Sequence, residues 1–156
     1  MRIKYPTGAL AIVICLSLAS PAFSKGDLTR QDPIEIKVEL GTTSGEHTFV
    51  PNHLSFETGK LYKLVLVNPS KSKHYFTSPG LAKSVFTRKV QVADEGAAKA
   101  EVKGIVSEIE VFPGSRAEWW FVPVATGKFS DLHCRIKDAD GQTHAHKGMT
   151  GTVEIR

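Results

Sequence analysis

The chain is poor in sulfur and has no long apolar run. Its 156 residues include two cysteines, Cys15 and Cys134, and two methionines, Met1 and Met149. The apolar stretch from Ala9 to Ala19 is short of the roughly 20 residues that a bilayer span requires. It follows Arg2 and Lys4 and precedes a small-residue site, Ala22-Phe23-Ser24. This is the pattern of a secretory leader. Residues 1–24 are therefore assigned to a signal peptide and residues 25–156 to one exported domain, periplasmic or otherwise outside the cytoplasm, with no stable membrane insertion. Cys15 lies inside the leader's apolar region without small residues before it, which argues against a lipoprotein.

Other absences narrow the function. Loss of the leader leaves Cys134 alone, so no intramolecular disulfide can form. A lone thiol in an oxidising compartment is a liability unless burial or a metal protects it. There are no repeats and no low-complexity tracts. Nor is there a basic run interleaved with aromatics, which speaks against nucleic acid as a partner. The formal charge of +4 falls to +2 once Arg2 and Lys4 are removed.

What is present reads as all-β. Ile34, Ile36, Val38 and Leu40 alternate with charged residues, the period of a half-buried strand. Further strands are expected at Phe49-Val50, Leu54 to Phe56, Leu61 to Val67, Ile109 to Phe112, Ala117 to Val122, Phe129 to Ile136 and Thr152 to Ile155. Turn residues such as Asn68-Pro69 and Pro113-Gly114 separate them. Trp119 and Trp120 are adjacent, so at most one faces the core. Leu81, Val85 and Phe86 suggest one short helix, and Gly96 to Ala100 a loop or a helical turn. The segment 78–103 is thus expected to be a helical and loop insertion in a sandwich or barrel.

The last third of the mature chain carries the chemistry. Cys134, His144, His146 and Met149 fall within sixteen residues, and His74 stands upstream at the end of an apolar strand. Thiolate, imidazole and thioether form a soft set that suits copper, as a trigonal His₂Cys site with a weak axial Met. Zinc accepts His and Cys as well. His133 is expected to point away from Cys134 on the opposite strand face. His47 and His53 flank Phe49 and Pro51 and are read as surface groups, with a second weak copper site as the lesser alternative.

These features resemble the cupredoxins, small blue-copper proteins with a Greek-key β-sandwich. Phe49-Val50-Pro51 with Leu54 and Gly59 resembles the family's second strand and turn. Val67-Asn68 followed by His74-Tyr75-Phe76 resembles the segment bearing the first histidine ligand. Val111-Phe112-Pro113-Gly114, Trp120, Gly127, Phe129 and Cys134 resemble the approach to the cysteine. His144 to Met149, with four residues between them, resembles the closing segment. Together these cover residues 34 to 156. Two departures stand out. Nine residues separate Cys134 from His144, where the family commonly has about two to four. Tyr75 follows His74 where many members have a small or amide residue that helps to hold the sulfur.

The resemblance implies one copper per chain, with His74, Cys134 and His144 as equatorial ligands and Met149 axial. The long loop leaves His146 as the alternative to His144. The implied function is single-electron transfer by a monomer that is not an enzyme, with a redox partner such as a periplasmic cytochrome. The alternative is a copper-binding protein for tolerance or delivery without redox turnover, meeting a copper donor or acceptor. From Lys60 to Lys89 seven basic residues occur with no acid between Glu57 and Asp94, which suggests an acidic partner.

Overall fold

Alternating β-branched and aromatic positions fold into two sheets packed face to face. The computed structural model describes residues 26–94 and 97–156. The expected signal peptide, including Cys15, lies outside the described residues, as does Gly96. The strands are β1 (Ile34–Leu40), β2 (Phe49–Val50), β3 (His53–Phe56), β4 (Tyr62–Val67), β5 (His74–Thr77), β6 (Val85–Asp94), β7 (Ala97–Val102), β8 (Glu108–Val111), β9 (Arg116–Pro123), β10 (Gly127–His133) and β11 (Thr150–Ile155). A short helix α1 (Pro79–Lys83) precedes β6. One sheet has the order β2-β1-β4-β9-β6-β7, and the other β3-β11-β10-β5-β8. Successive strands repeatedly cross between the sheets, as in a cupredoxin-like β-sandwich. Among the described residues, no helix is long and apolar enough to cross a membrane.

The core explains why the two sheets stay together. Leu40, Phe49, Phe56, Leu64, Leu66, Phe76, Phe121 and Leu132 are buried between them. Full burial of one such side chain contributes about 1.5–3 kcal/mol. Phe56 meets Tyr62 and Phe121 edge-on, and Phe76 meets Phe49 and Trp119 in the same way. Trp119 is buried and its indole N–H donates to Thr87 Oγ1 at 3.1 Å. Trp120 faces the other way, under Lys63, Arg88 and Lys89. Gly151 allows β11 to run against the chain before β3, because a Cβ there would collide with the backbone carbonyl of Asn52.

Within 78–103 the helix forms, but only over Pro79–Lys83. Asp131 holds its start, accepting from Ser78 Oγ at 2.7 Å and from the Gly80 N–H at 2.6 Å. Val85 and Phe86 belong to β6, and the segment from Ala97 is β7 rather than a loop or helical turn. The helical spacing of Leu81 and Val85 loses to pairing of β6 along β9, helped by the strand preference of Val85, Thr87, Val90 and Val92.

Three loops meet at one end of the sandwich: 41–48 after β1, 68–73 after β4, and 134–149 after β10. Gly41 adopts φ +74°, and a Cβ on it would lie 2.6 Å from His74 Nε2, so glycine is needed for this close approach.

Candidate metal centre

Each candidate ligand is positioned by backbone geometry. Strand alternation turns Leu132 and Cys134 inward, while His133 is only partly buried and bonds through Nδ1 to the carbonyl of Asp131 at 2.7 Å. Cys134 is buried as a free thiol. His74 opens β5 at 1% exposure, and His144 and Met149 are both fully buried. The Met149 carbonyl accepts from the Cys134 N–H at 3.2 Å, and the Met149 N–H donates to the His144 carbonyl at 2.9 Å. His146 is exposed, and its N–H donates to Thr143 Oγ1 at 3.2 Å. The described residues therefore place His144, not His146, beside Cys134.

The nine-residue insertion does not displace His144. It folds back as a small hairpin, with Lys137 bridged to Thr143 and a tight turn at Gly141. The His144 N–H donates to the Ile136 carbonyl at 2.8 Å, which returns the histidine to the cysteine.

Three donors converge. His74 Nδ1 and His144 Nδ1 are 3.1 Å apart, and Cys134 Sγ lies 3.9 Å from the first and 3.5 Å from the second. A triangle with edges of 3.1, 3.5 and 3.9 Å has its circumcentre about 2 Å from every corner, and metal–nitrogen and metal–sulfur bonds of zinc run about 2.0–2.3 Å. The Tyr75 N–H donates to Cys134 Sγ at 3.3 Å. The side chain after His74 is thus immaterial to that contact, because the backbone supplies it.

The outer nitrogens reveal the tautomers. Ser70 Oγ donates to Asn68 Oδ1 at 2.7 Å, so it accepts from His74 Nε2 at 2.9 Å. Asp138 Oδ1 accepts from His144 Nε2 at 3.0 Å. With both Nε2 atoms protonated, both Nδ1 atoms present lone pairs to one point, an arrangement that a cation would stabilise. Burial, then the neighbouring His144 and His47, push the His74 pKa down to about 4, so its imidazole is neutral near pH 7. Burial raises the Cys134 thiol pKa, partly offset by backbone N–H groups of Tyr75 and Ile136. Hydrogen bonds from Lys147 and then His144 hold Asp138 well below the usual carboxylate range. The fit to a soft cation is good: a neutral His74 imidazole beside His144 and a thiol that a bound metal would deprotonate.

Two residues at this site escaped the sequence reading. His47 is not a surface group. Its ring stacks on His144 with centroids 3.9 Å apart, and its Nε2 lies 3.1 Å from Asp138 Oδ2. Asp138 is the carboxylate behind two imidazoles. His53, by contrast, is exposed and bonds to Thr152 Oγ1 at 2.7 Å.

No protein-family model matches the chain, and no curated protein matches it in sequence. Solved structures do. Dithionite-reduced auracyanin from the photosynthetic bacterium Roseiflexus castenholzii superposes with a TM-score of 0.50 at 15% identity, over 78% of this chain and 96% of that one. A copper-containing nitrite reductase from Thermus scotoductus gives 0.57 at 14% identity, over 83% of this chain and 32% of that one. A multicopper oxidase from Campylobacter jejuni gives 0.55 at 16%, over 80% and 30%. The chain thus spans about a third of those two enzymes and nearly all of the auracyanin. At these identities the likeness establishes the fold, a cupredoxin-like β-sandwich. The clustering of His74, Cys134, His144 and Met149 resembles that of a type 1 copper site.

Proposed function

We propose that this chain is an exported mononuclear copper protein that transfers single electrons, with His74, Cys134 and His144 as equatorial ligands and Met149 axial. The observation that carries this reading is the convergence of two lone-pair-bearing Nδ1 atoms and one thiol on a common centre. Copper would supply a one-electron couple, Cu(I)/Cu(II), with ligands acceptable to both states.

The chain's own residues serve that couple by staying still. Ser70 and Asn68 fix the His74 ring, Asp138 fixes the His144 ring, and the Tyr75 N–H supports negative charge on the sulfur. Burial keeps water from the donors. A frame that does not rearrange keeps the cost of changing charge low. The match to auracyanin over nearly its whole length supports a self-standing carrier rather than one domain of an enzyme. The partner would be a redox protein such as a periplasmic cytochrome, met by a monomer.

Adding Cu(II) to the protein should produce an intense visible band from thiolate-to-copper charge transfer, and Cys134→Ser should abolish it. A colourless wild type that binds zinc equally well would reject this reading.

A further inference from the structure

His47 carries the same pattern as the two equatorial histidines. Its Nε2 lies 3.1 Å from Asp138 Oδ2, while Asp138 Oδ1 takes the proton of His144 Nε2 at 3.0 Å. One carboxylate thus faces the Nε2 atoms of both imidazoles. The Nδ1 atom of His47 is buried and has no hydrogen-bond partner among the described residues. A buried polar atom without a partner is costly and calls for a ligand. One ring nitrogen of His47, one of His74 and one of His144 lie within 4.8 Å of one another.

We propose that His47 is a third imidazole ligand of the same ion. The inference rests on the copper reading above. An ion bonded to His144 Nδ1 lies in the plane of that ring. His47 is stacked 3.9 Å from His144 with the ring planes 23° apart, so its ring must turn out of the stack to aim a nitrogen at that ion. Cu(II) favours nitrogen-rich, tetragonal sets over a trigonal one. A third imidazole would move the site toward that geometry and stabilise the oxidised state. A cavity of about 130 Å³, lined in part by Glu46, His47, Ser70, Lys71 and His74, adjoins this side of the cluster. The loop insertion then has a purpose: it delivers Asp138, which holds His47 and His144 together.

The test is pulsed electron paramagnetic resonance of the Cu(II)-loaded protein, counting copper-bound imidazoles, with His47→Phe and His47→Gln beside it. Phe keeps the stack on His144, and Gln keeps polarity. Three imidazoles are expected in the wild type and two in each variant. The variants should lose Cu(II) affinity relative to Cu(I) by at least about tenfold, raising the potential by about 59 mV. Two imidazoles in the wild type would overturn the proposal, and this count needs no variant to fold. An unchanged count in a folded variant would do the same. A thiolate band with two imidazoles removes only the His47 ligand. If no thiolate band appears at all, the copper reading fails and the third ligand falls with it.

Discussion

His144→Ala should abolish the visible thiolate band and His146→Ala should leave it nearly intact. The two histidines are two residues apart, and sequence spacing alone permits either. The structure separates them by burial: His144 is fully buried with its Nδ1 3.5 Å from Cys134 Sγ, and His146 is exposed. Removing His144 also strips Asp138 of one of its partners, and Asp138 still faces Lys147 and His47. Loss of a direct ligand should exceed the roughly 10–100-fold fall in metal affinity typical of outer-shell changes. Copper titration followed by absorption would show this. A band that survives His144→Ala and disappears in His146→Ala would mean that the loop rearranges on binding metal.

Asn68→Ala should be the most destabilising polar substitution near the site, by about 3–5 kcal/mol, since each buried polar group left unpaired costs about 1–3 kcal/mol. Asn68 is fully buried and donates to the carbonyls of Ser72 and Val111, each at 2.8 Å. Its Oδ1 accepts from the Ser70 N–H at 2.9 Å and from Ser70 Oγ at 2.7 Å. Alanine would take these partners from the Val111 carbonyl and the Ser70 N–H and leave Ser70 Oγ, the partner of His74 Nε2, held only by the Ser72 backbone on that side. Urea unfolding of the metal-free protein should show the loss, and copper should then be held less tightly. Ser70→Ala removes the Oγ contacts to Asn68 Oδ1, the Ser72 carbonyl and His74 Nε2 but leaves Asn68 in place, and should cost about 1–2 kcal/mol. A loss under 1 kcal/mol for Asn68→Ala would mean that water or backbone shifts replace the network.

Much of the fold was legible because strand periodicity is local. The alternation in Ile34–Leu40 and the turn residues at Asn68-Pro69 and Pro113-Gly114 mark strands that the structure contains. The adjacent tryptophans divide as a period of two demands, Trp119 inward and Trp120 outward. Reading 78–103 as helix and loop went astray after Lys83. Whether Val85 onward forms a strand depends on β9, some thirty residues away, and no local pattern reports that pairing. Cys134 and Met149 were legible because soft donors are scarce in this chain. His47 and Asp138 were not, because their meeting with His144 depends on how two loops fold back. The basic segment illustrates the same limit. Lys63, Lys73 and Lys89 meet Glu35, Glu110 and Glu101 from neighbouring strands, at 2.8, 2.8 and 2.6 Å. A run of like charge in sequence is therefore partly neutralised in space, which weakens the case for steering by that segment.

The central claim is that the bound copper moves electrons and stays in place. The most direct measurement mixes the reduced, copper-loaded protein with an oxidised periplasmic cytochrome and, separately, with a Cu(I) chelator of moderate affinity. A shuttle should reduce the cytochrome rapidly and keep its copper against the chelator. Slow or absent reduction with ready loss of Cu(I) would contradict the account and identify a copper carrier instead.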